Sequence, residues 1–182
     1  MTNYDKVIIK YLIKVSLSNL NSSNITSMIY TFTGCKSLET VDFTSFSSSK
    51  VEKMEFLFSG CNNLINLKGF ESLNTSSLLK TSGMFIECRN LKYVNISSFQ
   101  LNKISEHNGM FIDTPSLESL DIGNNNNING LFSSDEDIKV KIITISIEVN
   151  SSGLIGQITR IIRKENQQLE CTLRNWTAFN IK

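Results

Sequence analysis

Phe32-Thr33-Gly34-Cys35-Lys36-Ser37-Leu38-Glu39-Thr40-Val41-Asp42-Phe43 decides how this chain is read, because its pattern returns 26 residues later in Phe58-Ser59-Gly60-Cys61-Asn62-Asn63-Leu64. The Phe-x-x-Cys element appears again at Phe85-x-x-Cys88 and, altered, at Phe111-x-x-Thr114. A Leu-x-x-Leu-x-Leu pattern starts at Leu12, Leu38, Leu64, Leu91 and Leu117, at intervals of 26, 26, 27 and 26 residues. Met28, Met54, Met84 and Met110 keep the same beat; the first two lie four residues before the Phe and the last two next to it. Several independent positions sharing one period mark a repeat architecture.

The spacing turns each unit into a physical object. Val41 and Phe43 alternate, as a short strand with one buried face requires. A Ser-rich bend, Thr44 to Ser49, follows it. Val51, Met54, Leu57 and Phe58 are then spaced by three and four, which predicts a short amphipathic helix or helical turn, with Ser49 and Glu52 as its capping box. Gly34 and Gly60 fall where that turn ends and left-handed dihedrals are needed. Gly69 reads as a replacement of an apolar strand residue, and Pro115 sits in the connection before Leu117, where it disturbs no ladder. One such coil cannot bury its apolar side alone. Four to five stacked at about the 4.8 Å strand spacing would form a continuous core and a parallel sheet.

At these residues the chain resembles the BspA-like class of leucine-rich repeats, whose roughly 26-residue unit reads Met-Phe-x-Gly-Cys-x-x-Leu-x-x-Leu-Asp-Leu-x-x-Phe. The segments Phe32–Phe46 and Phe58–Leu64 carry the likeness most closely, which runs from about Tyr11 to Phe132; Gly69, Glu87 and Thr114 depart from the pattern. The resemblance implies an α/β leucine-rich-repeat solenoid with a short parallel sheet over residues 1–132. It also implies surface display, adhesion or protein binding, with no catalysis.

The ends break the period. Val7, Ile9, Tyr11, Ile13, Val15 and Leu17 alternate with mostly polar neighbours and predict one longer strand entering the first coil. Gly123 to Asn127 interrupts the beat, and Ser133-Ser134-Asp135-Glu136-Asp137 marks a boundary. In residues 138–182 the alternation of Ile138, Val140 and Ile142 shifts phase at Ile145, Ile147 and Val149, as a bulge would produce. Leu154, Ile155, Ile158, Ile161 and Ile162 fit a helical face or a strand; strands are the reading preferred, giving a small β-rich cap or subdomain.

Composition bounds the function. Eighteen basic residues against 17 acidic leave a formal charge of +1. That is no basic footprint for nucleic acid. No apolar run approaches the roughly 20 residues that span a bilayer, and the first residues lack the layout of a secretory signal. Location is thus open: cell surface or secreted by resemblance, cytoplasmic if the chain is complete. The six Asn-x-Ser/Thr tripeptides, at Asn21, Asn24, Asn74, Asn95, Asn150 and Asn175, are about what 21 Asn and 38 Ser plus Thr produce by chance.

Each candidate site has a plain packing alternative. Cys35, Cys61 and Cys88 follow the repeat, not the short paired spacings of zinc ligands, and read as a buried, reduced column. His107 is the lone histidine, without an orienting acid or nucleophile nearby, and reads as a surface residue. No catalytic residue, metal or cofactor is expected. The exposed strand positions remain: Glu39, Thr40 and Asp42; Asn66 and Lys68; Lys92, Tyr93 and Asn95; Glu118, Ser119 and Asp121. Polar, mixed in charge and including a tyrosine, they predict a face for a protein or glycan partner. The alternative is a structural spacer or a unit that self-associates through its ends.

Overall fold

A computed structural model describes residues 11–125, 130–132, 141–149 and 155–162. It is built of strands, bends and turns, with short parallel sheets and almost no helix. Strands β1 (Lys14–Ser16), β2 (Thr40–Asp42) and β3 (Asn66–Lys68) form one three-stranded sheet. Val15 pairs with Val41 and Val41 with Leu67, so each strand sits one repeat from its neighbour. Strands β4 (Tyr93–Asn95), β5 (Ser119–Gly123), β6 (Lys141–Val149) and β7 (Ile155–Ile162) form a second sheet, parallel except for the β6–β7 pair. A second line of parallel bridges, Ser27 to Lys53 to Lys80 to Glu106, ties the units together away from the strands.

The strands are short because the residue at their end bends the chain. Asp42 Oδ1 accepts the Thr44 N–H at 2.8 Å, Asn95 Oδ1 the Ser97 N–H at 2.9 Å, and Asp121 Oδ1 the Gly123 N–H at 2.9 Å. Such side chains satisfy their own backbone two residues on and replace the next ladder bond. Inside, Phe32, Phe58, Phe85, Phe111 and Phe132 stack face to face with centroids 5.3–5.5 Å apart. Phe58, Phe85 and Phe111 are wholly buried, each contributing about 1.5–3 kcal/mol. Buried hydroxyls bind the units at a third position, where Ser48 Oγ donates to the Asn74 carbonyl and Thr75 Oγ1 to that of Ser98.

Of the two forms expected, a short amphipathic helix or a helical turn, no helix forms and the segment takes turns, with Leu57 N–H donating to the Met54 carbonyl and Ser59 N–H to that of Phe56. Among the described residues the one helical segment is a 3-10 turn, Phe70–Ser72. Val51, Met54, Leu57 and Phe58 are buried as their spacing requires, but alternate N–H groups reach the next unit: Met54 donates to Lys80, Phe56 to Ser82, Phe58 to Met84 and Gly60 to Ile86. Those bonds take the place of an intrahelical ladder whose nucleus is costly in so short a segment. Phe56 and Gly60, at φ 53° and 73°, also leave the helical basin. The Ser49–Glu52 cap therefore does not form; Glu52 N–H donates to the Thr26 carbonyl instead. Gly34 and Gly60 do take left-handed dihedrals.

At the ends, β1 covers only part of the longer strand expected, the rest of which lies partly outside the described residues. The boundary at residues 133–137, the turn before Leu154 and the segment from 163 also lie outside them. Residues 155–162 are a strand and not a helical face. The register between β6 and β7 runs without interruption from Ile142–Ile162 to Val149–Ile155. The expected bulge within β6 is thus misplaced: the register shift lies on β5, between Asp121 and Gly123.

A candidate ligand-binding cleft on the sheet face

The two sheets part between β3 and β4, and the cause is one residue. Positions 43–68 lie 27 residues before their counterparts in the next unit, whereas positions 14–42 and 70–95 lie 26 before theirs. Gly69 is therefore an insertion. Phe70, not Gly69, fills the core position of Phe43 and Ile96, and it is 1% exposed. This corrects the reading of Gly69 as a substituted strand residue.

The local chemistry explains the insertion. Ser16, Asp42, Asn95 and Asp121 hold the strand-end position in their units and can each bend the chain through a side-chain oxygen; Lys68 cannot. Lys68 instead crosses to Asp42 at 2.9 Å. Gly69, at φ 74°, makes the bend with its backbone, so close to the previous unit that a Cβ would lie 2.9 Å from the Thr44 nitrogen.

The ladder then fails on one side only. At neighbouring junctions Ile65 N–H donates to the Glu39 carbonyl, Glu118 N–H to that of Lys92, Phe43 N–H to that of Lys68, and Ile96 N–H to that of Asp121. Among the described residues the equivalent bonds from Lys92 to Ile65 and from Phe70 to Asn95 are missing. The bridge between Lys53 and Lys80 and the Phe58–Phe85 stack at 5.5 Å keep the same units joined elsewhere. The result is a cleft of about 440 Å³ lined by Ile65 to Glu71 and Tyr93 to Asn95.

Of the residues expected to form the recognition face, the cleft gathers Asn66, Lys68, Tyr93 and Asn95. Tyr93 is 48% and Ile65 56% exposed at its lips. Burial, aided by the negative charges of Asp121 and Glu71, holds the Tyr93 phenol above its ordinary value against the lowering effect of a hydrogen bond with Asn95. Lys92 is exposed beside the cleft and pairs with Glu118 at 3.4 Å. Glu39, Thr40 and Asp42 lie half-buried on the closed part of the sheet, and Ser119 is half-buried on β5. Asp121 corrects expectation: it is 8% exposed, paired with β6, and its oxygens serve Gly123 N–H and the Asn95 amide. Leu67, Gly69, Phe70, Glu71 and Val94 lie outside the expected face, and the single 27-residue interval is the signal in the sequence that the sheet opens there.

Other groups have structural partners. Cys35, Cys61 and Cys88 are free and buried. Cys61 Sγ donates to the Phe32 carbonyl at 3.0 Å and Cys88 Sγ to that of Phe58 at 3.2 Å. A hydrogen bond with Cys35, then burial, pushes the Cys61 thiol well up, and burial pushes Cys88 up to about 12. Both are neutral, hence poor nucleophiles. His107 is half-buried rather than a free surface residue, with Nδ1 3.3 Å from the Ile104 carbonyl. Among the described residues no three His, Cys, Asp or Glu converge as a metal site, and no helix is long and apolar enough to cross a membrane.

Parallel strands in register at successive repeats, with a partly opened sheet, define a stacked-repeat protein. Residues 8–71 and 26–145 match the family described as Mycoplasma protein of unknown function, DUF285, together covering more than half of the chain. The chain belongs to that repeat family. No curated protein and no solved structure matches it.

Proposed function

We propose that this chain is a BspA-like leucine-rich-repeat solenoid acting as a non-catalytic binding or adhesion module, with a protein or glycan partner held on the open face of its sheet. The observation that carries the reading is the cleft between β3 and β4. It concentrates exposed Ile65, Asn66, Lys68 and Tyr93 above a buried apolar floor of Phe70 and Val94. A concave site with an apolar base and a few polar groups at the rim is the form binding sites take. The regular spacing of the strands, the Phe stack and the DUF285 match support the solenoid part of the reading.

The test screens the full chain against a glycan array and a random-peptide array, beside a sheet-face variant, Lys92→Glu with Tyr93→Ser, and a variant of the exposed Tyr30–Phe56 stack, Tyr30→Ser. Binding lost in the first variant and kept in the second is the expected result. Binding kept in the first and lost in the second would move recognition off the sheet face and overturn the reading.

A further inference from the structure

We propose that the β3–β4 cleft takes one kind of ligand, an extended peptide segment carrying a basic side chain, in an inference that rests on the sheet face being the recognition surface. Five backbone groups bonded at the flanking junctions have no ladder partner here among the described residues: the carbonyls of Ile65 and Asn95 and the N–H groups of Lys92, Tyr93 and Phe70. Donors and acceptors on both facing strand edges match an extended backbone, the pairing by which peptides add to sheets. A lip of three strand residues, Asn66 to Lys68 or Tyr93 to Asn95, spans about 10 Å at about 3.3 Å per residue, so about three ligand residues engage.

Charge selects the side chain. Lys68 is engaged by Asp42, and Lys92 by Glu118. Glu71 lines the cleft without an ion-pair partner among the described residues. Asp121 adds negative charge close enough to act on Tyr93. The cleft is thus electrostatically matched to an arginine or lysine beside an apolar residue seated over Phe70 and Val94.

The experiment uses the full chain and heptapeptide pools whose central residue is fixed as Arg, Leu or Glu, with amide chemical shifts as a second readout. Arg-centred pools are expected to bind about tenfold more tightly than Glu-centred ones and to shift the Lys92 and Phe70 amides. N-methylation of the three central peptide nitrogens should weaken binding about tenfold, the loss of a ladder bond. Deleting Gly69, which restores the 26-residue interval and lets the ladder close, should abolish it. Glu71→Gln should remove the preference for Arg without removing binding, and together with the N-methyl peptides it decides the matter should the deletion not fold. Peptides bound equally after the deletion and after N-methylation would overturn the proposal. Glycan binding that Lys92→Glu with Tyr93→Ser abolishes, with no peptide pool binding, would sink the peptide and leave the module reading standing. Neither glycan nor peptide binding would sink both.

Discussion

The junction between β2 and β3 and the junction between β3 and β4 are made from the same repeat, yet the first is closed and the second open. Both carry a stacked Phe pair, at 5.5 Å for Phe32–Phe58 and for Phe58–Phe85. Both carry a backbone bridge on the far side, Ser27 to Lys53 and Lys53 to Lys80. They differ where the strand ends. Asp42 bends the chain through its carboxylate, while Lys68 has no oxygen to offer and Gly69 is added. In this architecture the core column and the sheet are separately adjustable. A residue inserted at a strand exit can open a cleft without unstacking the units, because the contacts between neighbours are spread over several lines.

The largest break in that comparison would come from Phe70→Ala. Phe70 is packed against Phe43, Phe58, Phe85 and Phe99, with centroids 5.4–6.3 Å apart. The core being continuous beneath the cleft, the loss should be about 3–5 kcal/mol by denaturant unfolding, as large as for a Phe in the closed stack. A cost under about 1 kcal/mol would show that the units are loosened through their whole depth and not only at the sheet.

Gly69→Ala comes next. An alanine there bears the left-handed penalty of about 1–2 kcal/mol, and its Cβ meets backbone at 2.9 Å. A loss of about 2 kcal/mol or more is expected, and an Ala variant as stable as the parent would mean that the bend is not made by this residue. The contrast with Glu87 is instructive. Gly34, Gly60, Glu87 and Asp113 hold one repeat position with φ of 75°, 73°, 58° and 57°. Glu87→Gly should therefore stabilise the chain by about 0.5–1 kcal/mol, after the added freedom of the unfolded glycine is offset. An unchanged midpoint in thermal unfolding would argue that Glu87 sits there without strain.

Much of this was legible beforehand. Stacking writes each core contact into the chain at a fixed interval, so the columns of Phe, Leu and Cys could be read as columns. The Met residues needed the structure: Met28 and Met54 share a position with Thr81, whereas Met84 shares one with Leu57, as their hydrogen bonds to the next unit show. Helix and helical turn are not separable in the sequence, because successive turns space apolar residues by three and four much as a helix does. What separates them is whether N–H groups bond within the unit or to the next, which no single unit reveals. The candidate face is half legible. Exposed strand positions were found, but Asp42, Asn95 and Asp121 spend an oxygen on their own bends, a use that residue type alone does not distinguish from recognition. The cleft was hidden by treating Gly69 as a substitution, when the positions on either side of it keep different intervals.

The smallest expected effect is on acid sensitivity, and it should fall on the closed junction alone. Hydrogen bonds from Thr44 and Lys68 hold the Asp42 carboxyl down at about 2. A carboxyl lowered on folding adds stability above its unfolded value of about 3.9 and gives it up as pH falls through the folded value. The contribution of Asp42 should thus be complete at neutral pH and fade between about pH 4 and pH 2. At the open junction Lys68 is followed in register by Asn95, which has no such titration. Asp42→Asn should flatten the pH dependence of stability in that window slightly, since the Lys68 end of the pair is solvent-exposed and salt screens it. Its amide oxygen can still accept the Thr44 N–H, so the bend survives and only the charge on Lys68 loses its partner. If Asp42→Asn instead opened the β2–β3 ladder, seen as new exchange at the Phe43 amide, closure would depend on the ion pair across the junction more than on the bend at the strand exit, and the difference between the two junctions would be electrostatic rather than geometric.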